Sequence, residues 1–304
     1  SMRKGVVRRF GWVLVLLGLA PAGPAFAANG LAFLKVGAGA RSVAVGDAVV
    51  SHVDDASATS WNPGALPLLG GTNAELMHNE SFGGVRFEFA SLTRAFGRHG
   101  LGVSFQGIWT DRMRGYDSAG NYEGDFGYYG LVLGGSYGFS PWERLGVGVG
   151  LEYVREAIDV YDASGVGVTL GAQYREILPR TDIGVAVRHL GSAVKYEQEE
   201  VDLPTAVQGG VTHRLPLSSL GSAVLLAVEG RKVRDEDGQV LVGAEYQYQN
   251  VASLGVGYRS GLDTEDVSLG VGIGQGRIRG QYAFVPFQEN LGDQHRISLL
   301  LNLP

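Results

Sequence analysis

The stretch 267–274 reads Val-Ser-Leu-Gly-Val-Gly-Ile-Gly, so an apolar side chain alternates with serine or glycine along its whole length. The stretch 145–151, Leu-Gly-Val-Gly-Val-Gly-Leu, repeats this pattern. Side chains of a β-strand point to opposite faces with a period of two, so each stretch has one oily face and one face of small groups. Such segments run for roughly 9 to 13 residues, which suits a tilted bilayer crossing better than the usual strand of about 5 to 6.

Alternating segments fill residues 72–304 and are separated by clusters of Gly, Pro, Asn, Asp and Ser. Open sheet edges are not tolerated in hydrocarbon, and single-chain bacterial barrels have an even number of strands. We therefore predict an all-β fold, a transmembrane antiparallel β-barrel of about 14 strands over residues 72–304. The longer connections fall at one end of the predicted barrel, which places both chain termini on the periplasmic side.

The first 27 residues predict export. They begin with a basic region, continue with the apolar stretch 10–20 and end with Ala25-Phe26-Ala27, a small-residue cleavage site. A membrane anchor is the alternative, but it needs about 20 apolar residues, and prolines 21 and 24 interrupt this stretch early. We expect 1–27 to be a cleaved signal peptide and the protein to reside in the outer membrane of a Gram-negative bacterium.

The composition excludes several classes of function. The formal net charge is −6, so no basic surface for nucleic acid is expected, and there are no cysteines to form disulfides or thiolate metal sites. Aromatic residues near the predicted strand ends are typical of the interfacial girdles of barrels, which predicts contact with outer-membrane lipid and lipopolysaccharide.

The predicted outer loops are acidic. Carboxylates cluster in three of them, at Glu197, Glu199, Glu200 and Asp202, at Asp235, Glu236 and Asp237, and at Asp263 and Glu265. Hard divalent cations take several carboxylate oxygens, so a cation site is one interpretation and ordinary solvated loops are the other.

Charged residues of both signs also fall on the predicted glycine-bearing, lumen-facing side of the strands. These residues are Arg86, Glu88, Glu152, Arg188, Glu229, Glu245, Arg259, Arg277 and Arg279. Buried charges persist when they are paired or hydrated, which favours structural ion pairs inside the barrel. A polar path for a solute is the alternative.

Residues 28–71 do not alternate and are rich in Ala, Gly and Ser. Asp54, Asp55 and Ser57 can cap a short helix, and Asn62-Pro63-Gly64 can form a tight turn. Small residues would pack closely against inward-facing glycines, which lack a Cβ. We therefore predict that 28–71 forms a plug, or hatch, inside the barrel.

The same segment resembles a known family. Gly39-Ala40-Arg41, residues 46–48 (Gly-Asp-Ala), residues 54–58 (Asp-Asp-Ala-Ser-Ala) and Trp61-Asn62-Pro63-Gly64 are similar to the N-terminal signature of PorV/PorQ proteins, which are related to the FadL group of fourteen-stranded barrels. The resemblance implies a plug whose hatch motif maps onto Asn62, Pro63 and Gly64. Gly64 and Asp47 depart from the family pattern, which usually has alanine and glycine there.

Two functions are implied by this resemblance. A PorV-like protein would be a component of type IX secretion that binds secreted substrates at the cell surface, with the translocon and C-terminal sorting domains of cargo as partners. A FadL-like protein would instead be a channel for hydrophobic small molecules such as fatty acids and hydrocarbons. The short predicted outer loops favour the first interpretation over the long ligand-capturing loops of the second.

An enzyme is not expected. Residues 134–138, Gly-Gly-Ser-Tyr-Gly, fit the formal pattern of a nucleophile elbow, but that motif needs a strand-to-helix turn, and Ser136 lies within an alternating strand. The six histidines are scattered without metal-ligand spacing. We therefore expect no catalytic residue and no cofactor.

Overall fold

The fold is a closed antiparallel barrel. A computed structural model describes residues 31–304 except 117–118, 160, 193, 197–198, 218–220, 250, 262–265 and 288–292. Fourteen strands form the wall. They are β1 (Thr72–Ser81), β2 (Val85–Phe96), β3 (His99–Trp109), β6 (Tyr128–Trp142), β7 (Leu145–Ile158), β8 (Tyr161–Leu178), β9 (Thr181–Gly191), β12 (Ala206–Leu217), β13 (Ser222–Val233), β14 (Gly238–Tyr248), β15 (Ala252–Arg259), β16 (Val267–Gln275), β17 (Ile278–Pro286) and β18 (Asp293–Leu303).

Each wall strand pairs with its neighbours along the chain, and the first strand closes the barrel against the last. Thr72 lies opposite Leu303, so both ends of the wall sequence meet at the end with short turns. The opposite end carries the longer connections and is called the mouth below; in barrels of this kind it is extracellular. Among the described residues, no helix is both long and apolar enough to cross a membrane.

Two connections at the mouth contain strands of their own, which the sequence pattern did not predict. The connection after β3 forms a hairpin of β4 (Met113–Tyr116) and β5 (Tyr122–Phe126), and the connection after β9 forms one of β10 (Val194–Tyr196) and β11 (Glu199–Val201). The rings of Tyr116 and Tyr122 stack edge to face at 6.0 Å across the first hairpin. Such cross-strand aromatic pairs stabilise short hairpins.

The alternating stretch 267–274 forms most of β16, and its side chains alternate between the two faces as the sequence predicts. Val267, Leu269, Val271 and Ile273 are exposed on the outer face of the barrel, while Ser268 and the intervening glycines are buried. Exposed Leu and Val side chains recur around the wall. An outer face of this kind is stable only against lipid, and a closed wall leaves no unpaired strand edge in the bilayer.

The wall strands differ greatly in length. β6, β7 and β8 have 15, 14 and 18 residues, whereas β15, β16 and β17 have 8, 9 and 9. The barrel is therefore tall on one side and low on the other.

Residues 31–71 lie inside the barrel, and we call them the inner segment. They contain 3-10 helices Ala32–Lys35 and Pro63–Leu68 and α-helices Ala40–Ala44 and Ala58–Trp61. Most of their side chains are buried, and they contact the inner face of strands on opposite sides of the wall.

Glycines on the inner face permit this close packing. A Cβ at Gly146 or Gly148 would overlap the carbonyl oxygen of Gly64 or Pro63, and a Cβ at Gly257 would overlap the backbone of Gly46. The missing side chains let one backbone lie directly on another. The glycine rows of β7 and β15 are therefore matched to the inner segment.

The expected all-β barrel of about fourteen strands is confirmed by the fourteen-stranded closed sheet. The predicted signal peptide, 1–27, lies outside the described residues.

We expect Gly148→Val to destabilise the protein by about 1–3 kcal/mol, because the added methyls overpack the contact with Pro63. The measurement is the urea midpoint of unfolding of the purified protein in liposomes. Gly135→Val on β6 is the matched control, since a Cβ there has no neighbour within 4 Å. Equal midpoints for the two variants would contradict the close packing of the inner segment on β7.

Candidate functional site

The lumen is the candidate site, and Asn62 fixes one side of the inner segment to the wall. Its Nδ2 donates to the carbonyl oxygens of Val50 at 2.9 Å and Ala172 at 3.0 Å, and its Oδ1 accepts from the backbone N–H of Gly64 at 3.0 Å. Gly64 itself sits against the backbone of Ala172 on β8. The predicted Asn62-Pro63-Gly64 motif therefore ties a tight turn to the wall through backbone groups.

Trp61 is fully buried beside this turn. Its Nε1 donates to the carbonyl oxygen of Ala38 at 2.8 Å, and the guanidinium of Arg188 lies 4.5 Å from its ring centroid. Such a cation–π contact stabilises a desolvated arginine. Trp61 therefore joins two parts of the inner segment. Its ring also contacts Arg188, one of the charged residues predicted to face the lumen.

Arg41 of helix Ala40–Ala44 gathers acidic side chains. Its Nη2 lies 2.8 Å from Oε2 of Glu245 on β14, and its Nη1 pairs with Asp54 and lies 3.9 Å from Oδ2 of Asp55. Asp55 Oδ1 also accepts from the backbone N–H of Ser57 at 3.0 Å. Helix Ala58–Trp61 has no side-chain cap, so Asp55 bonds just before it instead of capping it, and both acids hold the arginine that joins the inner segment to the wall.

Glu229 on β13 binds the backbone of the inner segment directly. Its carboxylate accepts from the N–H of Val50 at 3.2 Å and of Ser51 at 2.7 Å, and from Nε2 of Gln208 at 2.7 Å. Residues 49–57 contain no helix that could satisfy these donors internally. A wall carboxylate replaces the missing intrasegment acceptors.

A second group of buried charges surrounds Asp47. Four wall arginines, each at least nine-tenths buried, lie around it, and we call them the arginine cluster: Arg188, Arg231, Arg259 and Arg296. Asp47 Oδ2 accepts from Nη1 of Arg259 at 3.1 Å and lies 3.5 Å from Nη1 of Arg231. Burial alone would raise the pKa of Asp47, but Arg259, Arg231 and Arg296 outweigh it and lower the pKa, so the group is a carboxylate at neutral pH.

Near the mouth, the part of the lumen away from Asp47 is apolar. Leu31, Phe33 and Leu34 of the inner segment pack there against buried wall and loop residues, and the whole set is called the apolar chamber. Its other large side chains are Met77, Phe87, Phe89, Ile108, Val132, Val154, Val194 and Leu203. The carboxylate of Glu156 accepts from the backbone N–H of Leu31 at 3.0 and 3.1 Å. The chain's own side chains fill this chamber.

His52 joins the inner segment to the short-turn end of β9. Its Nδ1 lies 2.5 Å from Oδ2 of Asp182, and its Nε2 lies 3.5 Å from Oδ2 of Asp54. Burial alone would lower the pKa of His52, but its hydrogen bonds with Asp182 and Asp54 outweigh burial and raise the pKa above its ordinary value. The two ring nitrogens of His52 thus each face a carboxylate, an arrangement that favours the protonated form.

Five of the nine charges expected on the inner face are buried there. These are Glu152, Arg188, Glu229, Glu245 and Arg259. Glu152 accepts from Thr169 Oγ1 at 2.8 Å and lies 2.7 Å from His189 Nδ1. Glu152, Glu229, Glu245 and Arg259 each contact another charged or polar group, and Arg188 lies over the ring of Trp61, which favours structural pairing over an open polar path.

The other four charged residues are not buried on the inner face, contrary to the expectation from the sequence. Arg86 and Glu88 lie on the outer face of β2, because Phe87 and Phe89 turn inward to the apolar chamber and reverse the usual apolar-out alternation. Arg277 is exposed in the turn between β16 and β17. Arg279 lies on the inner side beside Gly274 but is only half-buried at the short-turn end.

Two of the described carboxylates of the acidic loops form ion pairs. Asp202 lies 2.8 Å from Arg234, and Glu236 lies 2.6 Å from Lys35. Within the described part of the chain, no three His, Cys, Asp or Glu side chains come together as a metal site. Three residues of the cation hypothesis lie outside the described residues, namely Glu197, Asp263 and Glu265.

Several site residues were missed by sequence reasoning. Arg231 and Arg296 share their strand faces with Glu229 and Ser298, and Glu156 shares its face with Glu152, so strand parity could have identified them. Arg41 and Asp47 were noted as motif letters, but no periodic pattern in the irregular inner segment indicates which wall residues they meet.

We expect His52 to make the docking of the inner segment pH-dependent. Because the folded-state pKa is raised, its stabilisation is complete below the unfolded value of about 6.5 and is lost as pH rises through the folded-state pKa. Amide hydrogen exchange of residues 49–57, measured between about pH 5 and pH 9, should lose protection across that window.

The His52→Gln variant should remove this component of the pH dependence. His213→Gln is the control, because His213 lies at the same end of the barrel and binds a hydroxyl, Thr181 Oγ1, at 2.8 Å. An identical pH profile for wild type and His52→Gln would refute the assignment.

Comparison with known proteins supports the fold. No family model and no curated protein matches the chain. Among solved structures, the Ralstonia pickettii toluene transporter TbuX matches at a TM-score of 0.62 and 14% identity, over 88% of this chain and 99% of that one. The Pseudomonas putida toluene transporter TodX matches at 0.61 and 12%, over 88% and 99%. A Pseudomonas aeruginosa FadL homologue matches at 0.57 and 13%, over 86% and 97%.

At these identities the likeness concerns the fold. The narrower resemblance to PorV stays a prediction of the sequence, and the structures compared are described as transporters and a FadL homologue rather than as enzymes. A closed barrel with an apolar outer face confirms the predicted outer-membrane location. The chain has the FadL-like, fourteen-stranded fold of outer-membrane barrels of Gram-negative bacteria.

Proposed function

We propose that the protein is a channel that admits small apolar molecules through the outer membrane, with residues 28–71 acting as its plug. The apolar chamber is the observation that carries this proposal. It lies toward the mouth of the barrel and is lined by aliphatic and aromatic side chains, the composition typical of small-molecule sites.

The chamber is closed by the chain itself. Leu31, Phe33 and Leu34 occupy the space that an apolar solute would take, and Val194 and Leu203 of the loop after β9 cover it from the mouth. An apolar solute can replace the contacts of these side chains at little cost in hydrophobic free energy. Passage therefore requires displacement of the first part of the plug.

The two parts of the inner segment are held differently. Residues 40–66 lie backbone to backbone on wall glycines and are tied by Asn62, Arg41 and Glu229. Residues 31–36 are held by apolar side-chain packing, by the carboxylate of Glu156 on the N–H of Leu31, and by the part-exposed Lys35–Glu236 ion pair. The first part is therefore the one expected to move.

Proteins named as toluene transporters share this fold, which supports an apolar solute. The alternative from the sequence motif is a component of type IX secretion that binds a translocon and sorting domains of cargo. No contact among the described residues favours that function, so it stays a prediction of the sequence.

Uptake of radiolabelled toluene tests the channel. Cells that produce the protein should take up toluene faster than cells with an empty vector, and Val132→Phe should slow uptake several-fold because it narrows the buried chamber. Leu133→Phe is the matched control, since the neighbouring side chain is 49% exposed on the outer wall. Both variants must be present in the outer membrane at wild-type levels. Uptake no faster than with the empty vector would refute the proposal.

The plug role has a separate test. Removal of residues 28–66 should raise single-channel conductance in a planar bilayer, because the inner segment fills the lumen. The full-length protein is the control, and folding of the truncated barrel is checked by its resistance to unfolding in detergent. Unchanged conductance of a folded, truncated barrel would contradict the plug assignment.

A further inference from the structure

The position of Asp47 is determined by two consecutive residues in left-handed backbone conformation. Gly46 has φ 66° and Asp47 has φ 60°, and Gly46 packs against the backbone of Gly257 and Tyr258 on β15. Gln208 Nε2 also donates to the Asp47 carbonyl oxygen at 2.8 Å. The carboxylate is therefore held at a set place in the lumen by contacts with the wall.

This place is the centre of the arginine cluster. Arg259 and Arg231 share Asp47 Oδ2, as described above, and the charge of Arg296 also acts on Asp47. Arg296 Nη1 donates to the carbonyl oxygen of Gly37 at 2.5 Å. The four positive charges are fixed on wall strands, whereas the carboxylate at their centre belongs to the inner segment.

Other carboxylates near the cluster are engaged elsewhere. Glu229 accepts from Val50, Ser51 and Gln208, and Glu152 is bound by His189 and Thr169. A buried positive group needs an anionic or hydrogen-bonding partner because the lumen interior is poorly solvated. Asp47 is the carboxylate that Arg231 and Arg259 have in common.

The arginine cluster meets the apolar chamber at residues 37–38, because Arg296 Nη1 donates to the carbonyl oxygen of Gly37 and the next residue, Ala38, packs in the chamber. Arg188, Arg231, Arg259 and Arg296 all occupy the mouth-side part of their strands, on β9, β13, β15 and β18. A solute in the chamber would therefore lie beside fixed positive charges. A carboxylate or phosphate on that solute would compete with Asp47 for the same guanidinium groups.

We infer that Asp47 sets the charge selectivity of the lumen: by occupying the arginine cluster it favours neutral apolar solutes over anionic amphiphiles. The inference deepens the proposed function and rests on it for the identity of the solute. Since Asp47 belongs to the part of the inner segment that is packed on wall glycines, it stays in place when residues 31–36 are displaced.

Asp47→Asn is the test variant. Asparagine has nearly the same shape and tolerates the left-handed conformation, so it removes the charge and keeps the backbone. The probes are a terminally brominated long-chain carboxylate and its methyl ester, whose bromine quenches the fluorescence of Trp61 beside Arg188. Trp109 and Trp142 are replaced by phenylalanine in all proteins, which are made without residues 1–27 and hence without Trp12, so that Trp61 reports the binding.

With Asp47 present, the ester should bind at least as tightly as the carboxylate. In Asp47→Asn, the affinity for the carboxylate should rise by about tenfold or more while the affinity for the ester stays unchanged. The double variant Asp47→Asn, Arg259→Gln should lose this gain because the cluster is again one charge lower. The urea midpoint of each variant verifies that it is folded.

The outcomes separate the two proposals. A gain of carboxylate binding in Asp47→Asn supports the inference even if the ester binds to neither protein, in which case the apolar-solute channel is refuted. Ester binding with no change in the ratio of carboxylate to ester refutes the inference and leaves the channel standing. Two further results overturn the inference. One is a tenfold preference of the wild-type protein for the carboxylate, and the other is the absence of binding of either probe to any variant.

Discussion

Hydrocarbon offers no hydrogen-bond partner to a peptide group, and the architecture depends on this constraint. The wall must close on itself, which it does by pairing β1 with β18 from Thr72 opposite Leu303 onward. Closure encloses an interior that is also poorly supplied with water. Every polar group that faces inward then needs a partner inside, and the inner segment supplies many of these partners.

The wall and the inner segment complete each other. Glu229 and Gln173 accept backbone N–H groups of residues 50–53, where the inner segment has no helix of its own. In return, Arg41 and Asp47 neutralise wall charges of opposite sign on neighbouring strands. The inner segment therefore has little regular structure, because its hydrogen bonds and its charges are satisfied by the barrel.

Strand alternation predicted the barrel because a period of two is a local property of the chain. The pattern gave the wrong face for Arg86 and Glu88. The apolar chamber lies inside the barrel next to β2, so the apolar side chains of this part of the strand point inward and the charged ones point outward. The Asn62 turn was predictable from turn chemistry, whereas the expected side-chain cap of helix Ala58–Trp61 is not formed. The wall partners of Arg41 and Asp47, Glu245 and Arg259, were not predictable, because they lie 204 and 212 residues away and depend on the three-dimensional register of the wall.

The unequal height of the wall has a consequence for the surrounding bilayer. A strand rises about 3.3 Å per residue, so 8–9 residues tilted by about 40° span about 22 Å at β15–β17, slightly less than the usual apolar band of about 25 Å. The longer strands β6–β8 exceed that band. Because a short apolar stretch is accommodated by thinning of the bilayer, we expect thinner leaflets beside β15–β17, while β6–β8 extend past the band with exposed polar ends such as Asp162 and Glu176. The protein therefore imposes a gradient of membrane thickness around its circumference, and lipids with shorter acyl chains gather at its low side.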